Sequence, residues 1–201
     1  MTDNFLEPAP STTEAQELYD EDLADSGYVW NVTRLWAHQP ETVSRLFDLM
    51  GRAFEPSGLG FRQRGILVTA TASALGDSYC SLAWGGKLSS KSDAALAAAV
   101  IRGDDEGLSE QEAAMAVWAR KIVQDPNATT SDDVQALRDT GMRDEQILAI
   151  TAFVALRLAF STINDALGAQ PDQQLVDSLP PEIVGAVSYG RQSSEHDDSA
   201  P

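Results

Sequence analysis

Cysteine and histidine are nearly missing from this chain: its 201 residues include one cysteine, Cys80, and two histidines, His38 and His196. One cysteine cannot close an intrachain disulfide, which fits a reducing compartment but also fits many exported chains. Two histidines this far apart give no metal-ligand spacing, so neither a metal nor another cofactor is expected. Positive charge is scarce too, with 14 Lys and Arg against 31 Asp and Glu and a formal net charge of −17. Such a chain is poorly suited to neutralising phosphate, which argues against nucleic-acid partners and anionic membrane surfaces. No segment reads as the roughly 20 apolar residues that cross a bilayer. The start, Met1-Thr2-Asp3-Asn4, lacks the basic and apolar regions of a secretory signal, so a cytoplasmic location is expected. Strand signals are missing as well, apart from the short buried-type run Ile66-Leu67-Val68.

What is present is helical punctuation. Ser11-Thr12-Thr13-Glu14 has capping-box spacing and predicts a helix over 12–25, ended by Gly27. Pro40 suits a first turn, and Val43, Leu46, Phe47, Met50 and Phe54 recur at three- and four-residue steps behind it. Pro56-Ser57-Gly58 breaks that helix, and 61–75 reads as a buried one rich in small residues. Gly76-Asp77-Ser78 offers two N-caps, which places Cys80 in the first turn of a helix running toward Leu88 and weakened at its end by Gly85-Gly86. Further helices are predicted over 93–101, 109–123, 131–140, 144–167 and 182–189, with Gly103, Gly141 and Gly168 as stops. The fold class is all-α. An acidic helical extension (1–26), a main domain (27–175) and a short helix with a polar, disordered tail (176–201) are expected.

Other features read as ordinary. Asp104-Asp105-Glu106 lacks the spaced oxygens of a calcium loop, and Gly58-Leu59-Gly60 lacks the strand and lysine of a phosphate loop. His38 reads as a satisfied loop histidine. Tyr28, Trp30, Trp36 and Trp84 form an aromatic set that suits a pocket or a buried interface.

The order of pieces carries a resemblance: Gly27-Tyr28-Val29-Trp30-Asn31, Pro40-Glu41, a buried helix, Tyr79-Cys80, Asp133 to Gly141, and Phe160 to Gly168 ending in Ala-Leu-Gly. The chain resembles the carboxymuconolactone decarboxylase / alkylhydroperoxidase D-like family, in its peroxidase-related branch, over roughly 27–175. The resemblance implies an all-helical bundle whose helices are shared across a homo-oligomer of two to six copies. It also implies an antioxidant oxidoreductase. Peroxidase members use a Cys-x-x-Cys pair, a histidine four residues after the second cysteine and a glutamate fifteen before it. Here those positions hold Asp77 and Cys80, Trp84, and Gly65, so three of the four depart.

Neither Gly65 nor Trp84 moves a proton, and a sulfenic acid on Cys80 has no local partner thiol to resolve it. A helix N-terminus favours a thiolate by about 0.3–1 kcal/mol, while a nearby Asp77 carboxylate opposes it. Two readings follow. In one, Cys80 is the peroxide-reacting thiol, Asp77 stands in place of the first cysteine, and an external thiol is the reductant. In the other, the protein is a catalytically silent oligomer whose pocket, around Trp84, Gly65 and Tyr79, holds an apolar small molecule or merely packs. Lyase chemistry of the decarboxylase type finds no histidine or glutamate constellation here. The helix over 147–167 is apolar on nearly all faces, which calls for partners on all sides and supports the expected homo-oligomer.

Overall fold

The computed structural model describes residues 4–193; the acidic tail beyond them, with His196, lies outside the described residues. Among the described residues there are eleven α-helices and no strand. The all-α expectation holds.

Helix α4 (Phe61–Leu75) forms the centre. Ile66, Leu67, Val68, Ala70 and Ala72 are buried all round it, and the small residues let α5 (Ser78–Ser89), α6 (Ala94–Arg102), α7 (Glu110–Gln124) and α9 (Asp144–Ala166) pack against it. The tripeptide Ile66-Leu67-Val68 is thus core helix, not strand. Helix α3 (Pro40–Phe54) starts on its proline, buries Val43, Met50 and Phe54 against α9, and carries Arg45–Glu41 and Arg52–Asp48 pairs on its wet face. Capping sets several boundaries. Ser109 and Glu112 form a full capping box at α7, Thr130 and Asp133 another at α8 (Ser131–Asp139), and Asp93 caps α6.

The first helix, α1 (Thr13–Ser26), differs from expectation by one residue. Thr12, held in extended backbone, is its N-cap and accepts from the Ala15 N–H at 3.1 Å, so Ser11 and Glu14 make no capping box. Two six-residue helices, α2 (Asn31–Trp36) and α10 (Gln173–Ser178), have no side-chain cap and no long apolar period. Neither was legible. The last helix, α11 (Pro181–Ala186), stops three residues before Tyr189 because Val187 turns extended. The chain beyond it then lies on the start of α5, where the Tyr189 hydroxyl donates to Ser81 and Ser78 donates to the Arg191 carbonyl.

By length and composition α9 suffices to span a membrane, although the sequence reading found no such segment. In this fold it packs against α3, α4 and α7, with Ile150, Phe153 and Val154 fully buried. Part of its surface therefore finds partners inside the same chain, with 44% of its apolar stretch buried. Leu148 and Ile163 remain outside, 69% and 38% exposed.

Candidate active site

The C-terminus of α4 closes on Gly76, whose φ of +83° is a left-handed conformation that suits a residue without Cβ. The turn drops Asp77 at the N-cap of α5, fully buried, where Oδ1 accepts from the Cys80 N–H at 2.9 Å. This cap fixes Cys80 in the first helical turn, as the spacing predicts. Cys80 is buried, 4% exposed. From α9, Arg157 Nη2 donates to Sγ at 3.3 Å and Ser161 Oγ donates at 3.6 Å.

Burial, foremost, and the negative charge of Asp77 push the Cys80 thiol far above its usual range; Arg157 and Ser161 oppose the shift without cancelling it. The group rests as a neutral thiol at physiological pH. Helix dipole and guanidinium lose to a dry site with a carboxylate at its edge.

A cavity of about 410 Å³ reaches Cys80, Tyr79 and Trp84. Its walls are mainly aromatic and aliphatic, including Trp30, Trp36, Phe47 and Phe160, and α1 contributes Leu18, Glu21 and Asp22. The acidic N-terminal helix is thus part of the site. Gly65 does not line the cavity. It lies at the α4–α5 crossing, where a Cβ would stand 3.3 Å from the Leu88 side chain and 3.7 Å from its Cα. Tyr79 is anchored by its hydroxyl, which donates to Asp172; Asp172 also accepts from the Asn31 N–H at 2.8 Å. Trp36 donates to Asn164 at 2.8 Å and stacks on Phe160. Of the aromatic set read from the sequence, Trp30, Trp36 and Trp84 line the cavity, while Tyr28 packs against Trp30 outside it.

Trp84 stands where a proton-relay histidine would be expected and gathers cations instead. Lys87 Nζ lies 4.9 Å from its ring centre, and the guanidinium carbons of Arg64 and Arg157 both lie 5.6 Å away. Burial and the charge of Arg157 lower the pKa of Arg64, and burial with the same neighbour lowers that of Lys87. Arg62, two residues before Arg64 on α4, points elsewhere: it forms a two-pronged pair with Glu112 at 2.8 and 3.2 Å, tying α4 to the start of α7. His38 Nε2 lies 3.0 Å from the Glu7 carbonyl oxygen, the contact of a loop histidine.

A second acidic group lies near Asp77. Burial, with the charge of Asp77, raises Asp165 from its ordinary 3.8 to about 7, while Arg191 opposes the shift. Sequence reading missed Asp165, Arg157, Ser161 and Lys87. Arg157 alone left a signal: one cation inside a 23-residue helix that is otherwise apolar through its middle.

No family model and no curated protein matches the chain. Solved structures do. One is the alkylhydroperoxidase AhpD core of an uncharacterized peroxidase-related protein from Ralstonia eutropha JMP134, at 23% identity and a TM-score of 0.75, covering 86% of this chain and 94% of that one. Another is an uncharacterized peroxidase-related protein from Silicibacter sp. TM1040, at 18% identity and a TM-score of 0.74, covering 87% and 95%. The shared fold is the all-α alkylhydroperoxidase D-like bundle that the order of sequence motifs implies.

Proposed function

We propose that this chain is a diverged alkylhydroperoxidase-like protein that keeps the pocket over Cys80 as a small-molecule binding site and has lost efficient peroxide reduction. One observation carries the reading: the cavity ends on a sulfur that is buried, flanked by Asp77 and held neutral. Thiolate is the nucleophile toward peroxide, so a thiol held this way reacts slowly at neutral pH. The cavity lies in the size range of ligand sites, about 300–1,000 Å³, and has their mix of apolar wall and few polar groups.

A second reading is favoured by the contact between Arg157 and the sulfur. A guanidinium 3.3 Å from Sγ supports a one-cysteine peroxidase cycle with an external thiol. In that cycle Sγ attacks a peroxide oxygen, the O–O bond breaks, and the leaving oxygen takes a proton to depart as water or an alcohol. Two equivalents of external thiol then reduce the sulfenic acid, giving a disulfide and water.

The two readings part on a simple assay. Purified protein is given hydrogen peroxide or an organic hydroperoxide with dithiothreitol, beside Cys80→Ser. Equal rates for both proteins at pH 7 are expected. Turnover that disappears in Cys80→Ser would establish the peroxidase cycle instead.

A further inference from the structure

Arg157 is 4% exposed and lines the cavity, yet among the described residues it has no carboxylate within ion-pair distance. Its one hydrogen bond given to another side chain goes to a sulfur, a weak acceptor, and its Nε has no partner. A guanidinium this buried is ordinarily paired, because removing the charge from water is costly unless a partner offsets it. Here its near neighbours are two more cations. Lys87 lines the same cavity, and Arg64, whose Nε is also without a partner, lies 5.6 Å from the shared Trp84 ring without lining the cavity itself. Neither makes an ion pair among the described residues either, in a chain whose net charge is −17. With more than two acids per base to choose from, the fold leaves these three bases unpaired at one place.

Resting on the reading of the cavity as a binding site, we infer that its ligand is an organic carboxylate: an anionic head received by Arg157 and Lys87, with an aromatic or aliphatic body against Trp36, Phe47 and Phe160. The cations gather beside Cys80, where Arg157 joins the two kinds of wall: its guanidinium carbon lies 5.6 Å from the Trp84 ring centre and 5.0 Å from that of Phe160. The stacked Trp36–Phe160 pair, with Phe47 5.2 Å from Phe160, forms the apolar slab against which the body of the ligand would lie. The two acids of the lining, Glu21 and Asp22, come from α1 and disfavour a second anionic end there. Asp22 is already engaged, accepting the Trp30 N–H at 3.0 Å. The site therefore selects one negative head on an apolar body. A bound carboxylate supplies the acceptor that Arg157 lacks, and a bidentate pair with a guanidinium adds orientation as well as attraction.

The test compares 2-naphthoate with the neutral 2-naphthamide, following quenching of tryptophan fluorescence in the full chain. Naphthoate is expected to bind at least about tenfold more tightly, the ratio that corresponds to roughly 1.4 kcal/mol. Lys87→Gln, at a solvent-reaching position, is expected to shrink that ratio severalfold, and Arg157→Gln to abolish it if the variant keeps its helical circular dichroism. Equal binding of the two probes, or a ratio unchanged in Lys87→Gln, overturns the assignment of an anion while leaving the cavity as a binding site. Failure of both probes to bind overturns the assignment together with the binding-site reading.

Discussion

Asp77 performs two opposed tasks at one residue. Its Oδ1 caps α5, and its charge adds to burial, the larger cause, in keeping Cys80 protonated. Asparagine caps helices about as well as aspartate. Asp77→Asn therefore preserves the fold and removes the opposing charge, and the alkylation profile of Cys80 is expected to move to lower pH. An unchanged profile would leave burial as the sole cause. Asp165 makes a separate prediction. Its folded pKa of about 7 lies above the ordinary 3.8, so the folded chain holds this proton more tightly than the unfolded chain. The resulting stability is full below about pH 4 and is lost as pH rises through 7. Asp165→Asn is expected to raise the melting temperature at pH 8 and to leave it nearly unchanged at pH 4. A gain of equal size at both values would point to packing, not ionisation.

At the scale of the helix, the Gly85-Gly86 pair has a role beyond its low helix propensity. α5 runs through it to Ser89, and the missing side chains let neighbouring elements come close. A Cβ on Gly85 would stand 2.8 Å from Ile101 Cδ1 and 3.1 Å from Ile183 Cγ2, and both isoleucines are core. Alanine gains about 1 kcal/mol in helix propensity, but overpacking costs about 1–3 kcal/mol. Gly85→Ala is expected to be destabilising by about 1 kcal/mol, read as a lower urea midpoint; a raised midpoint would show that α6 and α11 yield freely. Helices were legible wherever a cap or a left-handed glycine marks the boundary, as at Asp77, Asp93, Gly103 and Gly168. α2 and α10 were not, since their positions come from distant partners such as the Asn31–Asp172 bond, 141 residues apart in sequence. The site divides in the same way. Asp77, Cys80, Tyr79 and Trp84 sit on one local segment, the N-cap and first turns of α5, and could be read together, whereas Arg157 meets the sulfur across 77 residues and needed the fold.

For the whole molecule, assembly remains a proposal with support on two sides. The sequence resemblance implies a homo-oligomer, and the isolated chain leaves Phe47, Leu49, Leu148 and Ile163 exposed on α3 and α9. Light scattering at micromolar concentration is expected to give a mass of two to six copies; the 21.6 kDa of a single chain would contradict it. The distribution of charge fits the same account, since a strongly acidic molecule places three bases, without ion pairs among the described residues, around one aromatic ring beside Cys80. The central claim is that this thiol forms the floor of a binding pocket and not a peroxide-reacting thiolate. The pH dependence of Cys80 alkylation by iodoacetamide in the folded protein tests it most directly. The account predicts a thiol still unreactive at about pH 9, above the ordinary range of a free cysteine. Thiolate reactivity below about pH 7 would contradict it and return Cys80 to the role of nucleophile.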